Sequence, residues 1–128
     1  MPTAEQWAQR FTEASDEDPE IGAHGKYYSC TYMLDMDDEK FIVDMHRGKV
    51  EKITIDPAPL DAYDFALRAP AATWRGMGER VPKPMFHGIW SASFRGDLAL
   101  EGDLLVLMQN LRCFTRQIEI LRETGVPV

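Results

Sequence analysis

The sequence predicts an α+β fold: a single five-stranded mixed or antiparallel sheet with helices packed on one face. Three observations predict it. Tyr28, Cys30, Tyr32, Leu34 and Met36 alternate with Ser29, Thr31, Met33 and Asp35, the period of a strand with two unlike faces. Two more alternating runs flank the compact turn Arg47-Gly48-Lys49, as in a hairpin. Near the end of the chain, Leu104, Leu107, Met108, Leu111, Phe114, Ile118 and Leu121 recur at steps of three and four and so share one helical face. Consecutive strands followed by the longest helix give a sheet covered on one side.

In chain order, Pro2 to Ala14 reads as a helix capped by Thr3, with Ala4, Trp7, Ala8 and Phe11 as its apolar stripe. Ser15 to Gly25 reads as a solvated acidic loop around Pro19. It lacks the Asp-x-Asp-x-Asp-Gly spacing of a calcium loop. Strands are predicted over Tyr27 to Met36, Phe41 to His46, Val50 to Asp56 and Tyr63 to Ala69. In the fourth, Tyr63, Phe65, Leu67 and Ala69 oppose Asp64, Ala66 and Arg68. A helical turn bearing Trp74 follows. The fifth strand lies within Gly96 to Asp103, where Leu98 and Leu100 alternate with Asp97, Ala99 and Glu101. Gly102 ends the strand and Asp103 caps one helix running from Leu104 to Leu121. Gly125 and Pro127 fit its stop. Leu105, Val106, Cys113 and Ile120 lie off its main stripe. That surplus either buries the helix on two sides or lines a ligand cavity.

With 128 residues, one domain (1–128) with a real core is expected. Hydrophobic residues at 45% and charged residues at 27% indicate a globular chain, not a disordered one. A formal net charge of −7 leaves no basic surplus for phosphates, so no nucleic acid partner is expected. Attraction to anionic membrane is disfavoured likewise, and no run is long enough for stable membrane insertion. Cys30 and Cys113 suggest no disulfide framework. The opening MPTAEQWAQR is polar and lacks the apolar core of a secretory signal, so a cytoplasmic, reducing location is expected.

Chemical motifs are sparse. His24, His46 and His87 have no ligand spacing, so no metal and no cofactor is expected. There is no Gly-x-Ser-x-Gly, and Cys30 sits among apolar positions, where a thiol is inert. Asp44 is a general base if buried and an ordinary surface carboxylate if not. Gly76, Gly78 and Gly88 do not form a phosphate loop. What stands out is apolar: Trp74, Met77, Met85, Phe86, Trp90 and Phe94, interrupted by glycine and proline. Large aromatics and thioethers on such short turns either fill an irregular core or wall a pocket that adapts to greasy ligands.

Three stretches carry a resemblance. Gly96-Asp97-Leu98-Ala99-Leu100-Glu101-Gly102-Asp103 followed by the apolar helix resembles the corresponding unit of the sterol carrier protein type 2 family of nonspecific lipid-transfer domains. Phe41-Ile42-Val43-Asp44 to Gly48-Lys49-Val50 resembles its hairpin. Tyr63-Asp64-Phe65-Ala66-Leu67-Arg68 with Ala72-Thr73-Trp74 resembles its next strand and helix start. The likeness spans Tyr27 to Leu121. It implies a sheet and helices enclosing a hydrophobic tunnel, and binding or transfer of a sterol, fatty acid or fatty acyl-CoA without catalytic residues. Carried over by position, the ligand-binding walls are Trp74, Met77, Phe86, Trp90, Phe94, Leu104, Met108, Leu111 and Phe114. Their role is to keep ligand carbon from water, worth about 0.8 kcal/mol per methylene. The chain departs from the family in ending Gly125-Val126-Pro127-Val128, without the Ser-Lys-Leu peroxisomal address. Its Val81 to Arg95 segment is also bulkier than the usual connection, and Trp90 is large enough to plug the tunnel.

Arg75, Arg80, Lys83 and Arg95 either meet an anionic headgroup or CoA phosphate at the tunnel mouth or are ordinary surface charge. Two other functions compete. A small enzyme acting on a hydrophobic ring compound needs a carboxylate or phenol in the pocket, with Asp44 or Tyr32 as nominees. An interaction module in a metabolic complex uses the apolar surplus of the final helix as a homodimer seam.

Overall fold

The computed structural model describes residues 3–37, 39–78 and 98–128. Thr3 starts the first helix. Its hydroxyl accepts from the Gln6 amide at 3.2 Å while its own amide donates to the Gln6 side chain at 3.0 Å, a reciprocal cap. This helix, α1 (Ala4–Glu17), runs past the predicted end at Ala14 and buries Trp7, Phe11 and Ser15. The expected acidic loop is a second helix, α2 (Pro19–His24), and a 3-10 turn over Gly25–Tyr27. Pro19 is not a breaker here: it occupies the first helical position, where its missing N–H costs nothing, and the Asp18 carboxylate caps the helix at the Ile21 amide, 3.0 Å away. Nor are the acidic groups simply solvated. Asp16 accepts from the Val50 amide at 2.8 Å, and Asp18 accepts from the Arg116 guanidinium at 2.7 Å.

The sheet contains β1 (Cys30–Asp35), β2 (Lys40–His46), β3 (Lys49–Ile55), β4 (Phe65–Arg68) and β5 (Ala99–Gly102). Its spatial order is β3-β2-β1-β4-β5. Only β1 and β4 pair in parallel among these strands, so the sheet is mixed. Arg47 and Gly48 both take positive φ, 50° and 80°, the turn geometry that matches strand twist. Gly102 has φ +90°, and a Cβ there would lie 2.7 Å from the Asp64 carbonyl oxygen, so only glycine lets β5 close on β4. The predicted alternation holds in β1: Tyr28, Cys30, Tyr32, Leu34 and Met36 join the main core, while Met33 joins Ile42 and Ala66 on the opposite face. Tyr63 was expected beside Phe65, but it precedes the strand and packs with that second cluster.

Helix α3 (Ala71–Met77) follows β4, and Trp74 Nε1 ties it to the sheet by donating to the Asp35 carbonyl at 2.8 Å. The predicted single final helix is two helices, α4 (Leu104–Gln109) and α5 (Leu111–Thr124). Asp103 caps α4 as expected, accepting from Leu105 and Val106. The break is at Asn110, whose side-chain amide turns back to donate to the Val106 carbonyl at 2.9 Å. Asn110 itself sits at φ −115°, ψ 16°, outside helical geometry, and its amide shares the Val106 carbonyl with its own backbone N–H. The stripe is split accordingly: Phe114, Ile118 and Leu121 are buried, whereas Leu104 and Met108 are 40% and 49% exposed.

The core lies between the sheet and α1, α3 and α5. Trp7 stacks on Phe11 and tilts against Phe41, and its Nε1 donates to the Gly125 carbonyl at 2.7 Å, joining the two ends of the described chain. Tyr32, Phe65 and Phe114 pack ring against ring, with Phe114 edge-on to both neighbours. Helix α2 is held on α5 by Arg116, which reaches Asp18, Glu20, Glu119 and Glu123.

The Asp18 carboxyl is only 5% accessible, yet the hydrogen bond from Arg116 holds its pKa below the ordinary carboxylate value despite burial. A depressed folded pKa contributes stability above the unfolded pKa, and that contribution is lost as pH falls through the folded value. Arg116→Met is therefore expected to cost on the order of 2 kcal/mol at pH 7, with the difference from wild type shrinking below about pH 4. Urea unfolding from pH 7 to pH 2 checks it; a difference that stays constant with pH would remove the pairing from the stability of this helix.

Candidate functional site

A cleft of about 750 Å³ opens where α2, the 3-10 turn and the break between α4 and α5 meet. That volume lies within the range of small-molecule sites. Tyr28 and Cys113, both buried, form its floor with the half-buried Val106. His24, Tyr27 and Ser29 bound it on the turn side, and Asp64 on the sheet side. Gln109, Asn110 and Arg112 bound it on the helix side. The break at Asn110 borders this space.

The floor is fixed from beneath by Gln117, a fully buried amide. Tyr28 and Tyr32 both donate their hydroxyls to Gln117 Oε1, the Tyr32 bond at 3.0 Å. Gln117 Nε2 donates to Ser15 Oγ at 2.8 Å and to Met45 Sδ at 3.3 Å. Both phenols are pushed well above the ordinary tyrosine pKa, first by burial. The Cys30 thiol is pushed up to about 12, chiefly by burial and then by the Asp64 carboxylate. Cys113 is raised as well, again by burial, against the opposing pull of Arg112. The two cysteines are free. None of these groups is an activated nucleophile. Among the described residues, no group of three His, Cys, Asp or Glu side chains is placed to hold a metal ion.

The residues expected as ligand walls fall into three settings. Trp74, Met77 and Phe114 are sealed in the core, with 0%, 2% and 0% of their surface accessible, so they face no void. Leu104 and Met108 stand exposed on α4, and Leu111 is half-buried at the start of α5. Phe86, Trp90 and Phe94 lie outside the described residues. None of the nine is among the cleft residues named above. The tunnel implied by the resemblance is not shown among the described residues: Tyr32, Phe65 and Phe114 fill the space under α5. Of the basic residues expected at a mouth, Arg75 is exposed on α3, and Arg80, Lys83 and Arg95 lie outside the described residues.

The two enzyme nominees point to opposite faces of the sheet. Tyr32 is inside the core, whereas Asp44 is half-buried on the outer face, accepting from the Thr31 hydroxyl at 2.7 Å with Lys52 4.0 Å away. The residues that do form the cleft were partly signalled in the sequence. Val106 and Cys113 lie off the main apolar stripe, and Asn110, between stripe positions Met108 and Leu111, is a poor helix former.

No protein-family model and no curated protein sequence matches the chain. The fold, however, is that of sterol carrier protein 2 and domains like it. A crystal structure of sterol carrier protein 2 superposes with a TM-score of 0.72 at 20% identity, covering 91% of this chain and 94% of that one. A conserved hypothetical protein of Thermus thermophilus, described as possibly a sterol carrier protein, gives 0.71 at 18% identity, covering 100% of this chain and 94% of that one. A UbiJ-SCP2 ubiquinone synthesis protein gives 0.57 at 12% identity, covering 98% and 99%. Among the described residues, no helix is long and apolar enough to cross a membrane.

Replacing Gln117 by leucine keeps the volume of the side chain and strands three buried hydroxyls. Gln117→Leu is expected to lower unfolding free energy by about 3 kcal/mol or more, read by urea denaturation. A loss below about 1 kcal/mol would mean that the network does not hold the floor of the cleft.

Proposed function

We propose that the chain binds or transfers a hydrophobic small molecule, a sterol, fatty acid or fatty acyl-CoA, and performs no chemistry on it. The observation that carries this reading is the cleft of about 750 Å³, floored by Tyr28, Val106 and Cys113, in a fold shared with sterol carrier protein 2. Leu104 and Met108 add exposed apolar surface on α4, the helix that contributes Val106 and Gln109 to the cleft, and Leu111 is half-buried at the start of α5. Burying ligand carbon on such surface drives binding without directional chemistry. The non-catalytic part is supported by the raised thiols and phenols, which are not poised to attack a substrate. Free buried cysteines suit a reducing cytoplasm.

A second reading has one observation of its own. Leu104, Leu105 and Met108 expose 40%, 66% and 49% of their surface on a helix with no charged residue, which suits a homodimer or partner seam. Light scattering separates the two: a mass that rises with concentration favours the seam.

Purified protein extracted with organic solvent, with mass spectrometry of the extract, tests the main reading. A co-purified lipid near one per chain is expected, absent from protein denatured and washed beforehand. An empty protein that also fails to take up a fluorescent fatty acid or sterol would leave the interaction reading in its place.

A further inference from the structure

We infer that the cleft is built for an amphiphile with one anionic headgroup, a carboxylate or a singly charged phosphate ester, seated against Arg112. The inference rests on the lipid-binding reading and adds the ligand class.

Two of the three arginines on α5 differ in their surroundings. Arg112 and Arg116 are four residues apart on α5 and therefore neighbours on its surface. Arg116 is surrounded by carboxylates, with Asp18 at 2.7 Å and Glu20, Glu119 and Glu123 within 3.9 Å. Arg112, one turn nearer the cleft, makes no ion pair or hydrogen bond among the described residues, and it lines the cleft. The chain carries 21 acidic residues against 14 basic ones, so carboxylates are in surplus, yet none among the described residues is placed on this guanidinium. An unpaired guanidinium offers its planar set of N–H donors to a carboxylate or phosphate.

The surroundings favour the same charge. The Asn110 amide is engaged with α4, so the first turn of α5 has no side-chain cap, and its positive dipole end lies on the wall that carries Arg112. Gln109 adds a neutral amide at the rim. Asp64, on the sheet side, accepts from the Thr31 amide at 2.8 Å and places a carboxyl group in the cleft. One anion is accommodated at the Arg112 end, but a cluster of phosphates such as that of a CoA ester would meet Asp64. A neutral sterol would leave Arg112 unanswered. The apolar part of the ligand has Val106, Cys113 and the Tyr28 ring beneath it.

The test is calorimetric titration of wild type, Arg112→Gln and Arg112→Lys with palmitic acid, hexadecanol, cholesterol and palmitoyl-CoA, with acetate as the headgroup alone. Arg112 is exposed, so both variants are expected to fold with unchanged melting temperature. Wild type is expected to prefer palmitic acid. Arg112→Gln should weaken palmitic acid roughly tenfold, leave hexadecanol unchanged and be largely rescued by Arg112→Lys. Equal losses for the acid and the alcohol, or no loss for the acid, would overturn the role of Arg112. Wild type that binds hexadecanol, cholesterol or palmitoyl-CoA as tightly as the acid would overturn the ligand class while lipid binding stands. Acetate binding as tightly as palmitic acid would overturn the amphiphile. Wild type that binds none of them would remove the lipid-binding reading and this inference together.

Discussion

The amide of Gln117 is the contact on which the rest of the structure depends. It is fully buried where α1, β1, β2 and α5 converge, and every hydrogen-bonding position on it is used. Its oxygen accepts from Tyr28 and Tyr32, and its nitrogen donates to Ser15 and Met45. A buried polar group of this kind is stabilising only while complete, because each partner left alone keeps its desolvation cost. The network therefore sets how close α5 comes to the sheet. It also fixes Tyr28, whose ring is the floor of the cleft, and Tyr32, whose ring closes the core against Phe65 and Phe114.

Two features bear on function. Among the described residues, Tyr32, Phe65 and Phe114 pack beneath α5, and the cleft lies at the joint between α4 and α5, where Asn110 breaks the helix. Two of the three arginines on the same helix have different surroundings. Arg116 clamps α2 through Asp18 and so holds His24 and the following turn at the edge of the cleft, while Arg112 is left facing the opening. The two guanidiniums thus sit one turn apart, one paired with α2 and the other at the cleft.

Much of the fold was legible in the sequence because its signals are local. Period two in β1, the Arg47-Gly48 turn, the Thr3 and Asp103 caps and the Gly125 stop each depend on a few adjacent residues, and each is found. The Ser15 to Gly25 stretch misled because its acidic residues are satisfied by Val50 and Arg116, which are distant in the chain. The final helix misled for the opposite reason: one asparagine outweighs a long apolar stripe. The site was less legible than the fold. Tyr28, Asp64 and Arg112 carry no common motif, and only the crossing of a turn, a strand entry and a helix start assembles them. Trp74 and Phe114 are large and apolar, which announces burial but not whether a void lies beside them.

Spin-labelled stearic acid, carrying its nitroxide on the hydrocarbon chain, tests the cleft most directly when the amide resonances of the protein are mapped. Broadening is predicted at Tyr27, Val106, Gln109 and Cys113, with Trp74 and Met77 unaffected. Broadening centred on Trp74 and Met77, with the cleft amides sharp, would put the ligand in an opened core and contradict a site at the α4–α5 joint.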